Sequence, residues 1–198
     1  MTYVETIEPR LTPPRMVAPA ATADALTEWC RDLTEELSAR LALVTQEDLT
    51  WQPHPDSNGA GVTVWHVARW LDVLGSRAFT GEPAAADCWH QFGWREVTGY
   101  EPDGIGYLGL GTLTGYTPQQ MRAVPALDGA SLQRYLTQTA DRLIEQIALI
   151  GDRLHQPAKH TQLSPYQQIA MTLQGSFGHV GEIDTLVALR ARLRDGHD

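Results

Sequence analysis

The chain has 198 residues, of which 42% are hydrophobic and 20% are charged, and this fits one globular domain with a sizeable core. Its net charge of −9 argues against a nucleic-acid partner, because phosphate binding requires clustered lysine and arginine. No stretch approaches the roughly 20 apolar residues of a membrane span. The two cysteines make no disulfide framework and no signal-peptide pattern is visible, so we expect a cytoplasmic protein with no membrane partner.

The first part of the chain predicts an arm followed by a helix. Residues 1–20 are rich in proline with little periodicity, which is typical of an extended arm, and residues 21–198 are expected to form the domain. From Thr22, the expected N-cap, to Val44, apolar residues recur at intervals of three and four, which predicts one buried helix face. That face consists of Leu26, Trp29, Leu33, Leu37, Leu41 and Val44.

A second amphipathic helix follows a loop over residues 51–61. It is predicted to begin at Val62 or Thr63 and to stop before Gly81 and Pro83. Its expected apolar face consists of Val67, Trp70, Leu71, Leu74 and Ala78.

The segment over residues 83–125 is the least regular part, and a loop of this length within a domain is often functional. Residues 104–109 match the dinucleotide fingerprint only as a string, because no predicted strand precedes them and no helix follows. We expect a mobile lid or a closely packed loop instead. Thr117 and Gln120 form a capping box with proline at the first helical position, which predicts a short helix to Val124.

Two further long helices complete the pattern. The third follows Asp128 and has an apolar face that continues to Leu154. The fourth begins at the capping box of Ser164 and Gln167. Four long helices, with a long crossover between the second and third and no strand pattern, predict an all-α four-helix bundle. The expected face of the fourth helix consists of Ile169, Leu173, Phe177, Val180 and Val187.

Two histidines lie at the edges of apolar faces on different predicted helices. His66 stands in Val-Trp-His-Val-Ala-Arg-Trp and His179 in Gly-His-Val-Gly-Glu-Ile-Asp. A rotation of 100° per residue leaves each ring half-buried, with one edge able to reach a cavity. Inward-projecting side chains build the metal sites of helix bundles, so His66 and His179 are candidate metal ligands. Each is alternatively explained as a histidine that hydrogen-bonds a neighbouring carbonyl.

Three glycines interrupt the fourth helix at every third position. Gly175, Gly178 and Gly181 should each cost about 0.8–1 kcal/mol relative to alanine. Close approach of another helix, from this chain or a second subunit, would offset that cost, and space for a ligand against bare backbone is the alternative. Asp184 lies near the apolar face and needs a partner, for which Arg69 is a candidate.

The remaining reactive side chains have ordinary explanations. His54, His90, His155 and His160 lie in loops or at helix ends, although folding could bring His54 or His90 to the site. Cys30 is expected to be a packing residue. No Ser-His-Asp or Cys-His arrangement has local support in the sequence.

The segments Leu49-Thr-Trp-Gln-Pro, Val64-Trp-His-Val-Ala and His-Val-Gly-Glu-Ile-Asp together resemble the DinB-like superfamily over residues 25–195. The resemblance implies a four-helix bundle, often a homodimer. It also implies nickel, zinc or a similar divalent ion held by three histidines, one on the second helix and two a turn apart on the last. Characterised proteins of this kind include bacillithiol S-transferases and mycothiol-dependent maleylpyruvate isomerase.

By position, the resemblance puts the second-helix ligand on His66 and the later last-helix ligand on His179. The earlier one falls on Gly175, which has no side chain to bind a metal, so the site is degenerate unless His90 or His54 completes it. The implied chemistry is attack of a metal-bound thiolate on an electrophile, and the arginine-rich composition favours mycothiol over bacillithiol.

Two hypotheses therefore remain open. The first is a metal-dependent thiol S-transferase or isomerase that acts on a small molecule through a degenerate site. The second is a non-catalytic domain that has lost its metal and keeps the bundle for small-molecule binding or dimerisation.

Overall fold

The computed structural model describes residues 19–157 and 162–195, and no strand is found within these ranges. The predicted all-α class is confirmed. Most of the expected arm over residues 1–20, together with His160, lies outside the described residues. The helices are α1 (Pro19–Leu41), α2 (Gln46–Thr50), α3 (Ala60–Ser76), α4 (Cys88–Gln91), α5 (Trp94–Thr98), α6 (Pro118–Arg122), α7 (Gly129–Ile150) and α8 (Pro165–Asp195).

The four long helices share one hydrophobic core. α1 and α3 each pack against both α7 and α8, and the contact between α3 and α7 is the most extensive. A Cβ atom at Gly75 would lie 2.8 Å from the backbone nitrogen of Leu143, so the absence of a side chain lets these two helices approach closely. None of the described helices has the length and apolar character needed to cross a membrane.

The buried face of α1 differs from the prediction at two positions. Thr22 is not the N-cap, because the helix begins at Pro19 and the buried Thr22 hydroxyl lies 3.2 Å from Nε2 of His155. Trp29 is 42% exposed, and Cys30 is fully buried in its place. Position 30 lies four residues after Leu26 and three before Leu33, so it falls on the same face of the helix. The prediction that Cys30 is a packing residue is confirmed.

The other long helices also differ from the prediction at their ends. α3 begins at Ala60 and ends at Ser76, so the expected face member Ala78 lies beyond it. α7 ends at Ile150, and the fully buried Leu154 belongs to a 3₁₀ turn that follows. On α8, Phe177 is 37% exposed and Ser176 is buried instead, because position 176 continues the three-residue spacing from Leu173.

The capping signals before α6, α7 and α8 are confirmed. Asp128 accepts a hydrogen bond from the backbone N–H of Ser131 at the start of α7. The pair Thr117 and Gln120 forms a reciprocal capping box before α6, which ends at Arg122 rather than at Val124. Ser164 and Gln167 hydrogen-bond reciprocally at the start of α8. The short helix α2 was not predicted, although Thr45 and Asp48 form a capping box before it.

The expected partner of Asp184 is wrong, and the expectation for the glycines of α8 is narrowed. Asp184 pairs with Arg40 on α1, at 2.9 Å from each carboxylate oxygen to a guanidinium nitrogen, and not with Arg69. No described atom outside the local helix backbone lies within 4 Å of a Cβ built at Gly175, Gly178 or Gly181. Close approach of another helix of this chain therefore does not explain these glycines.

The segment between α3 and α7, residues 77–128, is called the connecting segment below. Its central part folds back on itself, because Gly104 N donates to Gly109 O at 2.9 Å and Tyr107 N donates to Thr114 O at 2.7 Å. This matches the closely packed loop that was one of the two expectations. The glycine string lacks the preceding strand of a dinucleotide site.

Candidate functional site

The structure brings together the two histidines that the sequence singled out. His66 on α3 and His179 on α8 have ring centroids 4.9 Å apart, with the two ring planes nearly perpendicular at 88°. The pairing follows from the contact between α3 and α8 and from the position of each ring on the flank of its helix. Their role as metal ligands stays a prediction.

Each imidazole is oriented by an oxygen acceptor on its Nδ1. His66 Nδ1 hydrogen-bonds the backbone carbonyl of Thr112, and His179 Nδ1 lies 2.7 Å from Oε2 of Glu182. A carbonyl or carboxylate oxygen only accepts, so Nδ1 carries a proton in both rings, and the neutral form of each ring has its lone pair on Nε2. Neither Nε2 has a hydrogen-bond partner among the described residues. Metal-binding histidines typically show this arrangement.

The surroundings of His66 keep its ring neutral. Burial lowers the pKa of His66 from 6.5 to about 4, and the neighbouring His179 ring contributes in the same direction. A neutral imidazole retains the Nε2 lone pair that metal binding requires.

No third protein ligand completes the pair within residues 19–157 and 162–195. Among the described residues, no histidine, cysteine, aspartate or glutamate joins His66 and His179 in a group whose ligand atoms all lie within 4.8 Å of one another. The space that a side chain at Gly175 would enter is open. His54 is engaged elsewhere, because its Nδ1 accepts the Asp56 N–H at 3.2 Å.

The other loop candidate, His90, lies in a different group. Ligand atoms of His90, Glu101 and Asp103 lie within 4.8 Å of one another and could hold a metal ion. His90 Nε2 is 2.8 Å from Oδ2 of Asp103, and the other oxygen of Asp103 accepts from Arg77 at 2.8 Å. Glu101 pairs with Arg95 at 3.0 Å. The two carboxylates therefore already have cationic partners, which compete with any metal ion.

Arg69 lies at the centre of the buried charges beside this group. Its guanidinium is fully buried and lies 2.9 Å from Asp72, 2.6 Å from Asp87 and 3.1 Å from Asp103. Asp72 in turn accepts hydrogen bonds from the backbone N–H groups that open α4 and from the Tyr135 hydroxyl at 2.8 Å. We call Arg69, Arg77, Asp72, Asp87 and Asp103 the arginine network.

A cavity of about 260 Å³ opens beside His66. Leu113, one of its lining residues, has a positive φ of 75°. Such a backbone conformation costs roughly 1–2 kcal/mol for a residue other than glycine, and strain of this kind concentrates at functional sites. The lining residues are Asn58, His66, Leu113, Thr114, Tyr116 and Met121.

The chain belongs to the DinB superfamily, whose family model matches residues 22–183. The matched region includes His66, His179 and the whole connecting segment. No curated protein matches the chain.

Sequence reasoning missed the residues that orient and surround the histidine pair. Glu182 carried a usable signal, since it follows His179 by three residues on one helix and can therefore contact it. The sequence held no usable signal for Thr112, Asn58 and Tyr116, because irregular loops bring them to the site and their spacing has no periodicity. Cys30 and Cys88 are buried free thiols, and burial raises the pKa of both, so neither supplies a thiolate.

Proposed function

We propose that the protein is a metal-dependent thiol S-transferase or isomerase that acts on a small molecule, with His66 and His179 as its metal ligands. The observation that carries the proposal is the pair of adjacent rings, each with Nδ1 bonded to an oxygen acceptor and Nε2 left free. Family membership supports the reaction class.

The donor set fits a divalent ion only in part. Two imidazoles suit nickel or zinc, whereas a catalytic zinc site usually has three protein ligands. A bound ion would lower the pKa of a thiol co-substrate and so supply a thiolate near neutral pH. The missing third ligand leaves room for that thiol.

Residues of the chain itself orient the two histidine rings and form the wall of the substrate cavity. Glu182 and the Thr112 carbonyl hold the two rings in the tautomer that presents Nε2. Leu113 and Met121 supply the apolar part of the cavity wall beside His66.

The proposal includes several finer features. Mycothiol is the proposed thiol, on the basis of the superfamily and the arginine-rich composition. The long helices α1, α3, α7 and α8 are proposed to form a four-helix bundle in which the connecting segment is the crossover, and residues 1–20 the arm. A cytoplasmic homodimer is proposed on the same family basis.

Metal analysis tests the proposal directly. The full-length protein, dialysed against nickel or zinc and then desalted, should retain close to one ion per chain by elemental analysis. His66→Ala and His179→Ala should each abolish retention. His54→Ala is the matched control, since His54 is an exposed loop residue whose loss should leave the metal content unchanged. Equal metal content in all four proteins contradicts the proposal.

A gain of affinity offers a second test. Gly175 lies one turn before His179, so a side chain there points to the same side of α8. The space at this position is open, and Gly175→His should therefore raise the metal affinity by supplying a third imidazole. Gly178→His should not raise the metal affinity. Its side chain would also enter open space, but residue 178 is adjacent in sequence to His179 and therefore lies on another face of α8.

A second candidate is a non-catalytic domain that has lost its metal and binds a small molecule or a second copy of the chain. The open position at Gly175 favours it. In that case no variant retains metal, and the double variant His66→Ala/His179→Ala is as stable as the parent protein.

A further inference from the structure

The cavity beside His66 contains polar groups that lack protein partners. The amide of Asn58 and the hydroxyl of Thr114 make no hydrogen bond within the described residues. The hydroxyl of Tyr116 accepts a hydrogen bond from the Tyr100 hydroxyl at 3.3 Å. A hydroxyl that accepts in this way still has its own proton to donate.

The position of Tyr116 is determined by the loop on which it packs. A Cβ atom at Gly106 would lie 2.7 Å from Cδ1 and 2.8 Å from Cε1 of the Tyr116 ring, so the ring occupies the space that a side chain would fill. Gly106 also has a φ of 70°, which glycine adopts without strain. The backbone N–H of Tyr116 donates to Leu113 O at 3.0 Å. Burial, followed by the Tyr100 hydroxyl, raises the pKa of Tyr116, so its proton stays in place.

The cavity wall carries no charged side chain. Its lining residues include no lysine, arginine, aspartate or glutamate. The nearby cations have partners already, because Arg69 and Arg77 pair with Asp87 and Asp103. A carboxylate or phosphate that entered the metal-free cavity would lose water without gaining a countercharge, which is costly.

From these observations we infer that the cavity recognises an uncharged small molecule whose carbonyl oxygen accepts a hydrogen bond from Tyr116. Asn58 and Thr114 supply further neutral contacts, with Asn58 able both to donate and to accept. The inference rests on the proposed function only in placing the substrate beside His66. It narrows the ligands of the metal-free cavity to neutral carbonyl compounds such as amides and ketones.

A matched pair of probes tests this. Benzamide and benzoate have nearly the same shape, and only benzoate is charged at pH 7.5. Their affinities are measured by ligand-observed NMR titration on full-length protein in excess EDTA, because a bound cation would itself attract benzoate. We expect benzamide to bind at least about 10-fold more tightly, since only benzoate must surrender the hydration of a full charge.

Variants assign the preference to the named groups. Tyr116→Phe should weaken benzamide about 3- to 10-fold through loss of one hydrogen bond. Tyr107→Phe is the matched control, because Tyr107 is exposed and outside the cavity lining. Asn58→Lys should strengthen benzoate several-fold by adding the missing countercharge. Three outcomes would overturn the inference: the parent protein binds benzoate as tightly as benzamide or more tightly, it shows no detectable benzamide binding, or Tyr116→Phe binds benzamide with unchanged affinity.

The outcome is separable from that of the proposed function. Metal retention by His66 and His179 is measured without either probe, and probe binding is measured without metal. Retained metal with no preference for benzamide refutes the ligand class alone. A preference for benzamide in a chain that retains no metal refutes the metal-dependent reaction alone.

Discussion

His66 and Arg69 lie one turn apart on α3, and both reach carbonyl oxygens of the connecting segment, Thr112 for His66 and Leu110 for Arg69. Around Arg69, the fully buried carboxylates of Asp72 and Asp87 are paired with guanidinium groups. Around His66, the free nitrogen of each imidazole faces no protein partner among the described residues.

This difference separates a group that holds the fold from one that is available to a ligand. Buried charges persist only when they are paired, and Arg69 fastens α3 to Asp87 and Asp103 of the connecting segment. Nε2 of His66 has no partner among the described residues, and burial, which lowers the pKa of His66, keeps that ring neutral. The arginine network therefore positions the segment whose Thr112 carbonyl orients His66.

The largest expected effect lies in the arginine network. Arg69→Met should reduce the free energy of unfolding by about 3–5 kcal/mol, because it leaves buried carboxylates without their shared partner. Urea denaturation followed by circular dichroism measures the change. Arg122→Met, which breaks the exposed pair with Asp56, is the control and should cost at most about 1 kcal/mol. Equal losses in the two variants would contradict the structural role given to Arg69.

The pH dependence of stability distinguishes the neutral histidine from the paired charges. Burial lowers the pKa of His66 from 6.5 in the unfolded chain to about 4 in the folded protein, so between these values the unfolded chain binds a proton that the folded chain does not. The stabilising effect of the neutral ring is complete above pH 6.5 and is lost as the pH falls towards 4.

This loss should amount to about 1–3 kcal/mol in metal-free protein. Urea unfolding at several pH values measures it, and His66→Gln should flatten the profile over this window relative to the parent protein. His54→Gln is the control and should leave the profile unchanged, because His54 is exposed. Parallel profiles for His66→Gln and the parent would show that His66 is not kept neutral.

Glu182 tests whether the free imidazoles are prepared for a metal ion. Glu182→Ala should weaken nickel or zinc binding about 10- to 100-fold, since it removes the carboxylate that orients His179. Asp184→Ala is matched in position and charge, but its carboxylate pairs with Arg40 instead. Isothermal titration calorimetry with each metal compares them. An unchanged affinity in Glu182→Ala would mean that the carboxylate has no part in metal binding.

The helices were predictable because their signals are local. Leucines spaced by three and four residues predicted the faces of α1 and α7, and the side chains of Asp128 and Ser164 satisfy backbone N–H groups within the next turn. The prediction of Thr22 as an N-cap was wrong, because a threonine can also lie inside a helix when its hydroxyl has another partner. Here that partner is His155.

The site was predictable only where it depends on helix faces. His66 and His179 could be placed together from the sides of their helices, whereas the partners of Arg69 lie 18 and 34 residues away within an irregular segment. Asp72, three residues after Arg69, was the one local clue to that pairing. Tyr116 reaches the cavity through glycine-dependent turns, which leave no periodic pattern in the sequence.

The smallest expected effect is the change in stability when a helix glycine is replaced by alanine. We compare a glycine on the closely packed side of α3 with one on the open side of α8. Gly181→Ala should stabilise the protein by about 0.5–1 kcal/mol, because the added methyl group meets no described atom and alanine favours the helix. Gly75→Ala should destabilise it by about 1–3 kcal/mol, since its Cβ would lie 2.8 Å from Leu143 N. Thermal unfolding at two protein concentrations, with sedimentation analysis, measures both. A destabilised Gly181→Ala whose dimer dissociates more readily would instead show that a second copy packs on the glycine face of α8.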